Sequence, residues 1–263
     1  MLPDETPVQS NCISGEGMPV AEPVAAIPPE IPISKSNRDP FWGYQDLALV
    51  LGLMVAATAI ILLGVGVATF VWPRLKSDPM PLLLPTNLAM YFFLLVILKF
   101  VFSSRYGKPM LSSLGWRMTN GTMLGYAVLA GVALPFVISG IGNLLRTPKI
   151  STPMDQIPNS IPLALMAVTL APFFEELFFR GLLQPLLTRT FGVVFGILLT
   201  AALFGSLHAV EYSFVWQYIV AIGLVGVALG FMRVWTNSIV PTTVMHACFN
   251  GLQLVALLYQ KHQ

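Results

Sequence analysis

The chain has 263 residues, of which 56% are hydrophobic and only 10% charged, against roughly 25% charged residues in an ordinary soluble domain. That balance excludes a soluble globular protein and marks an integral membrane protein. The formal net charge of +2, with no basic block, excludes a role in holding nucleic acid.

Residues 1–46 are rich in Pro, Ser and acidic side chains, with Pro28, Pro29 and Pro32 in a run that has no helical period. They are expected to form a disordered Pro-rich tail, followed by one transmembrane domain over residues 47–263. The tail lacks the basic start and apolar core of a secretory signal, so insertion is expected to rely on the first spanning helix.

About 20 apolar residues cross a bilayer core of about 30 Å. Seven windows qualify: Leu47–Trp72, Leu82–Phe102, Gly121–Leu145, Ile161–Leu187, Gly192–Val210, Phe214–Met232 and Ile239–Tyr259. An eighth arises only if a long window is split, for instance at Pro172. The expected fold is therefore all-α, a polytopic transmembrane bundle of about seven spans. Gly121/Gly125, Gly192/Gly196 and Gly226/Gly230 are spaced for close helix approach. Trp42, Trp72, Trp116 and Trp235 fall near span ends, as in an interfacial aromatic belt.

The fourth window alone is interrupted by acidic residues, in Leu170-Ala-Pro-Phe-Phe-Glu-Glu-Leu-Phe-Phe-Arg-Gly. A charged side chain in hydrocarbon costs on the order of 2.5–3.5 kcal/mol or more, so such residues face a partner or a cavity and mark function. Glu176 and Arg180 are one turn apart and can pair, while Glu175 is rotated by about 100° and left chemically free. The fifth window sets Phe204 and His208 on one face, and the seventh does the same for His246 and Asn250. In an antiparallel bundle, Glu175 lies about 20 Å deep, His208 about 24 Å, His246 about 10 Å and Asn250 about 16 Å at 1.5 Å per residue. Tilt can absorb these differences, so one shared chamber is allowed.

Such a set supports water activation. A partly desolvated carboxylate is a usable general base near neutral pH and a histidine can share its proton, which suits Glu175 with His208. His246 and Asn250 offer donors for an oxyanion. Alternatively, Glu175, His208 and His246 would bind Zn²⁺, since two imidazoles and a carboxylate with an open position form a catalytic zinc set. Phe204 reads as a packing wall, Glu211 as an exposed loop carboxylate or a further ligand, and His262 as solvated. Other hydrolytic chemistries lack their parts. There is no His-Glu-x-x-His zinc helix, Asp4, Asp39, Asp46, Asp78 and Asp155 fall outside the expected spans, and Ser206 has no Gly-x-Ser-x-Gly elbow.

Glu-Glu-x-x-x-Arg at Glu175, Glu176 and Arg180, Phe-x-x-x-His at Phe204 and His208, and His-x-x-x-Asn at His246 and Asn250 together resemble the three motifs of the CAAX-protease and bacteriocin-processing (CPBP) family of intramembrane proteases. The resemblance covers about residues 160–255. It implies a helical bundle around a water-filled site that cuts membrane-associated or prenylated proteins. Glu175 and His208 would then activate water, His246 and Asn250 would form the oxyanion site, and Glu176, Arg180 and Phe204 would support them. The resemblance also implies the lipid bilayer and a lipidated peptide or protein as partners, and the compact chain suits a bacterial cytoplasmic membrane. Two other readings stand beside it: a proton- or ion-coupled transporter, because buried Glu, His and Arg also form relays, and a non-catalytic immunity-type membrane protein.

Overall fold

A computed structural model of the protein describes residues 40–150 and 161–261. Most of the expected tail, the stretch 151–160 with Asp155, and His262 lie outside the described residues. Every described element is a helix or turn. In order, α1 is Tyr44–Val71, α2 Arg74–Ser77, α3 Met80–Tyr106, α4 Met110–Ser113 and α5 Gly121–Leu144. The fourth long helix, Ile161–Phe191, is made of α6 Ile161–Val168, α7 Leu170–Glu176, a π-helical segment Leu177–Leu183 and α8 Gln184–Phe191. Then come α9 Val193–Leu207, α10 Trp216–Thr236 and α11 Val240–Lys261.

Each of the seven expected windows falls on a helix. Among the described residues, five are long and apolar enough to cross a membrane: α1, α3, α5, Ile161–Phe191 and α10. The other two differ for separate reasons. Helix α9 is apolar but has 15 residues, about 22 Å. Helix α11 has 22 residues, but it carries Thr242, Thr243, His246 and Asn250, the residues that make it useful and less hydrophobic.

Apolar side chains turn outward along the spans, Val55, Leu63, Phe70, Phe92, Leu129 and Phe136 among them, as a lipid-facing surface requires. The interior holds two clusters. One joins α1, α3, α4 and the fourth long helix around Phe102, Leu114, Leu182 and Leu186, with Phe204 and Ile239 added. The other joins α5, α10 and α11 through Ala127, Val225, Leu229, Met245 and Phe249.

The helical body begins before residue 47. Trp42 is buried, its indole N–H donating to the Leu182 carbonyl at 3.1 Å, so it is an internal anchor and not a belt residue. Trp72 and Trp235 are exposed at helix ends, where a belt would put them. Asp46, expected outside the spans, sits buried in the first turn of α1. It accepts from the Gly43 N–H at 2.8 Å and the Tyr106 hydroxyl at 2.5 Å, and pairs with Arg105 at 3.1 Å. A carboxylate so enclosed secures the start of α1 to the end of α3. The Arg189 guanidinium donates to the carbonyls of Pro40 and Trp42, which fastens the entry segment to the end of α8.

The glycine pairs divide. A Cβ at Gly226 would lie 3.0 Å from Ala201 Cα, and one at Gly230 would lie 2.8 Å from the Ile197 side chain, so α9 and α10 do approach through small residues. Gly196 is crowded by Thr188, whereas Gly192 turns the chain at φ +82°. Gly121 and Gly125 meet nothing within 4 Å, because spacing alone does not say which face a neighbour occupies. The close approach on α5 is made by Gly131, against the Met245 carbonyl of α11.

Candidate active site

The site begins where the fourth long helix breaks. Pro172 has no N–H for the Val168 carbonyl and its ring crowds that turn, so α6 stops there and Thr169 turns out of helical geometry at φ −115°, ψ −64°. The Thr169 hydroxyl donates to the Leu165 carbonyl at 2.7 Å. From α11, the Asn250 amide donates to the Ala167 carbonyl at 2.9 Å. The break is thus braced by side chains, as non-ideal backbone inside a membrane must be.

Directly after Glu176 the chain widens into the π-helical segment. Its i→i+5 pattern leaves carbonyls without their usual partners, and outside groups serve them: Arg233 donates to the Arg180 carbonyl at 3.1 Å and Trp42 to that of Leu182. A Cβ at Gly181 would stand 3.0 Å from the Leu114 carbonyl, so the residue after Arg180 must be small for this segment to seat on α4.

These distortions turn Glu176 and Arg180 fully inward. Arg180 donates to Glu176 at 2.8 Å and to the Gly226 carbonyl of α10 at 3.1 Å, and its guanidinium lies 4.6 Å from the Phe204 ring centroid. The expected ion pair is present. Glu176 is not limited to it, because the same oxygen is 3.0 Å from Nδ1 of His246 on α11. The other ring nitrogen, Nε2, is 3.8 Å from a Glu175 oxygen. The Glu175 side chain is 28% exposed and that of Glu176 is fully buried. One carboxylate is open to an incoming molecule and its neighbour is sealed into the fold.

Phe204 is central to this arrangement. Its ring centroid is 4.8 Å from that of His208 and 5.9 Å from that of His246, and its carbonyl is 2.8 Å from His208 Nδ1. The ring lies beside both imidazoles, and the carbonyl adds an anchor for His208. Glu175, Glu176, Arg180, Phe204, His208 and His246 therefore share one neighbourhood, with Asn250 one turn along α11, tied to the helix break.

Two contributors, Tyr91 and Gln184, were not legible as site residues, and a third, Glu211, was read as an exposed loop carboxylate or a further ligand. Tyr91 of α3, stacked on Phe174 at 4.3 Å, is within electrostatic range of Glu175. Gln184 donates to the Gly230 carbonyl at 3.0 Å one turn beyond Arg180. Glu211, in the turn after α9, is half-buried. Its carboxyl is pushed above the usual range chiefly by burial and further by Glu175, with His208 opposing. The His208-to-Glu211 interval was the available signal for the last; Tyr91 and Gln184 carry no motif.

A zinc set needs three side chains converging on one point. Among the described residues no three His, Cys, Asp or Glu side chains do so, although His208 and His246, each with Nδ1 held by a protein acceptor, keep Nε2 open as metal-binding imidazoles do. As placed, the described side chains do not converge on a three-ligand metal site.

Searches of curated proteins and of solved structures return no match. Residues 157–252 match the family model described as type II CAAX prenyl endopeptidase, Rce1-like. That stretch contains Glu175, Glu176, Arg180, Phe204, His208, His246 and Asn250, so the segment in which the helix break, the π-helical turn and the histidine cluster converge is the part of the chain that is similar to an Rce1-like CAAX prenyl endopeptidase domain.

Proposed function

We propose that the protein is an intramembrane endopeptidase that hydrolyses peptide bonds in membrane-associated, lipid-modified proteins, with water activated at Glu175. The observation that carries this reading is the contrast between the two adjacent carboxylates. Glu176 is neutralised by Arg180 inside the fold, so an ion pair explains it. Among the described residues, Glu175 has no cationic partner nearer than an imidazole nitrogen at 3.8 Å, and it is partly exposed. Keeping a carboxylate without a close cation in a membrane helix is expensive, and such groups mark functional sites.

In the reaction, Glu175 takes a proton from water as the oxygen attacks the peptide carbonyl, then returns it to the leaving amine. His208, His246 and Asn250 supply the second proton-handling group and the donors for the oxyanion. Phe204, Arg180 and Glu176 hold these side chains in place. A lipidated substrate suits the setting, since its anchor brings the scissile segment to the level of the site, and a bacterial cytoplasmic membrane remains the expected location.

The test is cleavage by the purified full chain in detergent, using matched peptides with and without a farnesylated cysteine near the C-terminus, with products read by mass spectrometry. Cleavage of the farnesylated set by the wild type and its loss in His208→Ala and His246→Ala support the reading. No cleavage of any peptide, together with proton or ion flux when the protein is placed in vesicles, would replace it with a transporter.

A further inference from the structure

Outside the site, the charged side chains of the described spans sit where a membrane tolerates them. Asp46 falls in the first turn of its helix, and Arg105, Arg189, Arg233 and Lys261 fall in the last turns of theirs. Lys99 does not. It comes seven residues before the end of α3 at Tyr106 and is exposed, and among the described residues its side chain makes no hydrogen bond, ion pair or ring contact. A cation on the lipid side of a spanning helix is expensive unless something answers it. We propose that the phosphate of an anionic phospholipid, seated on the outer face of α3, is what answers Lys99. This site stands apart from the hydrolytic reading and does not depend on it.

The depth of Lys99 selects this partner. Helix α3 has 27 residues, about 40 Å, which matches a bilayer with its headgroup layers around a hydrocarbon core of about 30 Å. About 5 Å of helix then lies in the headgroup layer at each end, and the core boundary falls near Ser103. Lys99 is one turn inside it. A lysine that bends along its helix carries its ammonium to that boundary. The first acceptor it meets there is a lipid phosphate, because bulk water begins only beyond the headgroups.

The rest of the face is laid out like the lipid it would hold. Leu88, Phe92, Val96, Lys99 and Ser103 recur every three or four residues, so they form one stripe along the helix, and all five are exposed. The first three are apolar, and the last two carry an ammonium and a hydroxyl. An acyl chain lying along Leu88, Phe92 and Val96 sets its headgroup at Lys99 and Ser103, which both donate to the phosphate oxygens. The neighbouring cations are already engaged: Arg105 pairs with Asp46 at 3.1 Å, and the Lys108 ammonium lies 3.9 Å from the Phe41 ring centroid. A zwitterionic headgroup carries its own cation beside the phosphate, so the unmatched charge of Lys99 favours a net anionic one. The lipid thereby fastens the outside of a helix whose Tyr91 stacks on Phe174 beside the site.

The test is native mass spectrometry of the purified full chain in detergent micelles, titrated with palmitoyl-oleoyl phosphatidylglycerol or with phosphatidylcholine of the same chains. Wild type should bind its first phosphatidylglycerol about fivefold more tightly than phosphatidylcholine, the preference one lysine gives at an anionic surface. Lys99→Arg should keep that preference, and Lys99→Gln and Lys99→Leu should each remove it. The leucine form suits the apolar stripe around it, so the comparison stands even where the glutamine form folds poorly. Lys108→Gln, at the same end of α3, should behave as wild type. A wild type without preference overturns the proposal, as does a preference that survives in both neutral variants or is lost equally in Lys108→Gln. So does a dimer or a co-purifying membrane protein that Lys99→Leu releases, because the partner is then a protein and not a lipid.

Discussion

Replacing Arg180 with Met removes a fully buried cation. Arg180 is fully buried, pairs with Glu176 at 2.8 Å and donates to the Gly226 carbonyl at 3.1 Å. Breaking a buried pair from one side costs about 3–5 kcal/mol, and the orphaned carbonyl adds about 1–3 kcal/mol. His246, also on Glu176, can take up a proton and recover part of this, so the expected loss is about 3–5 kcal/mol. The double variant Glu176→Gln/Arg180→Met leaves no charge stranded and should be more stable than Arg180→Met alone by about 2 kcal/mol, a coupling within the usual range for groups in contact. The assay is reversible unfolding in mixed micelles, followed by tryptophan fluorescence. An Arg180→Met protein within 1 kcal/mol of wild type, or a double variant no more stable than the single, would falsify the view that the pair is sealed from solvent.

Gly131→Ala should cost about 1–3 kcal/mol, because the added methyl meets the Met245 carbonyl beside His246; Gly125→Ala, with nothing within 4 Å, should be neutral or stabilising by up to about 1 kcal/mol. Equal effects in the same unfolding assay would contradict the assigned α5–α11 contact. Glu211 is held above the ordinary carboxylate range by burial, so the folded state binds its proton more tightly than the unfolded state and stability should fall as pH rises through that range. Glu211→Gln should flatten this slope on the alkaline side of the ordinary carboxylate range, and an unchanged slope would show that burial at Glu211 is not its source. Because no three ligand side chains converge among the described residues, cleavage should survive prolonged chelation, and a loss that Zn²⁺ alone restores would speak for a metal.

The helices were legible because hydropathy over about 20 residues reports directly on what a bilayer accepts. The break at Pro172 could be read from its missing N–H. The entry segment could not: Trp42 near a span end reads as a belt residue, and only its bond to Leu182 shows it turned inward. The π-helical segment was equally hidden, since Leu-Phe-Phe-Arg-Gly-Leu-Leu has the composition of an ordinary spanning helix and its widening is supported by Arg233 and Trp42 from elsewhere. At the site, i,i+4 spacing predicts the Glu176–Arg180 pair because both lie on one helix. The bond from His246 to Glu176 joins residues 70 apart, and nothing in either motif says which carboxylate the imidazole meets. Asn250 was expected beside an oxyanion, and its bond to Ala167 depends on the break in another helix.

The most direct test is turnover of a farnesylated peptide by wild type and Glu175→Gln at equal folded concentration. The side chain is partly exposed and its nearest ionic partner is 3.8 Å away, so the glutamine form should keep wild-type stability and lose at least about 10³-fold in kcat/KM, of the order expected when a general base is removed. Wild-type turnover in Glu175→Gln would contradict a mechanism in which that carboxylate activates the water.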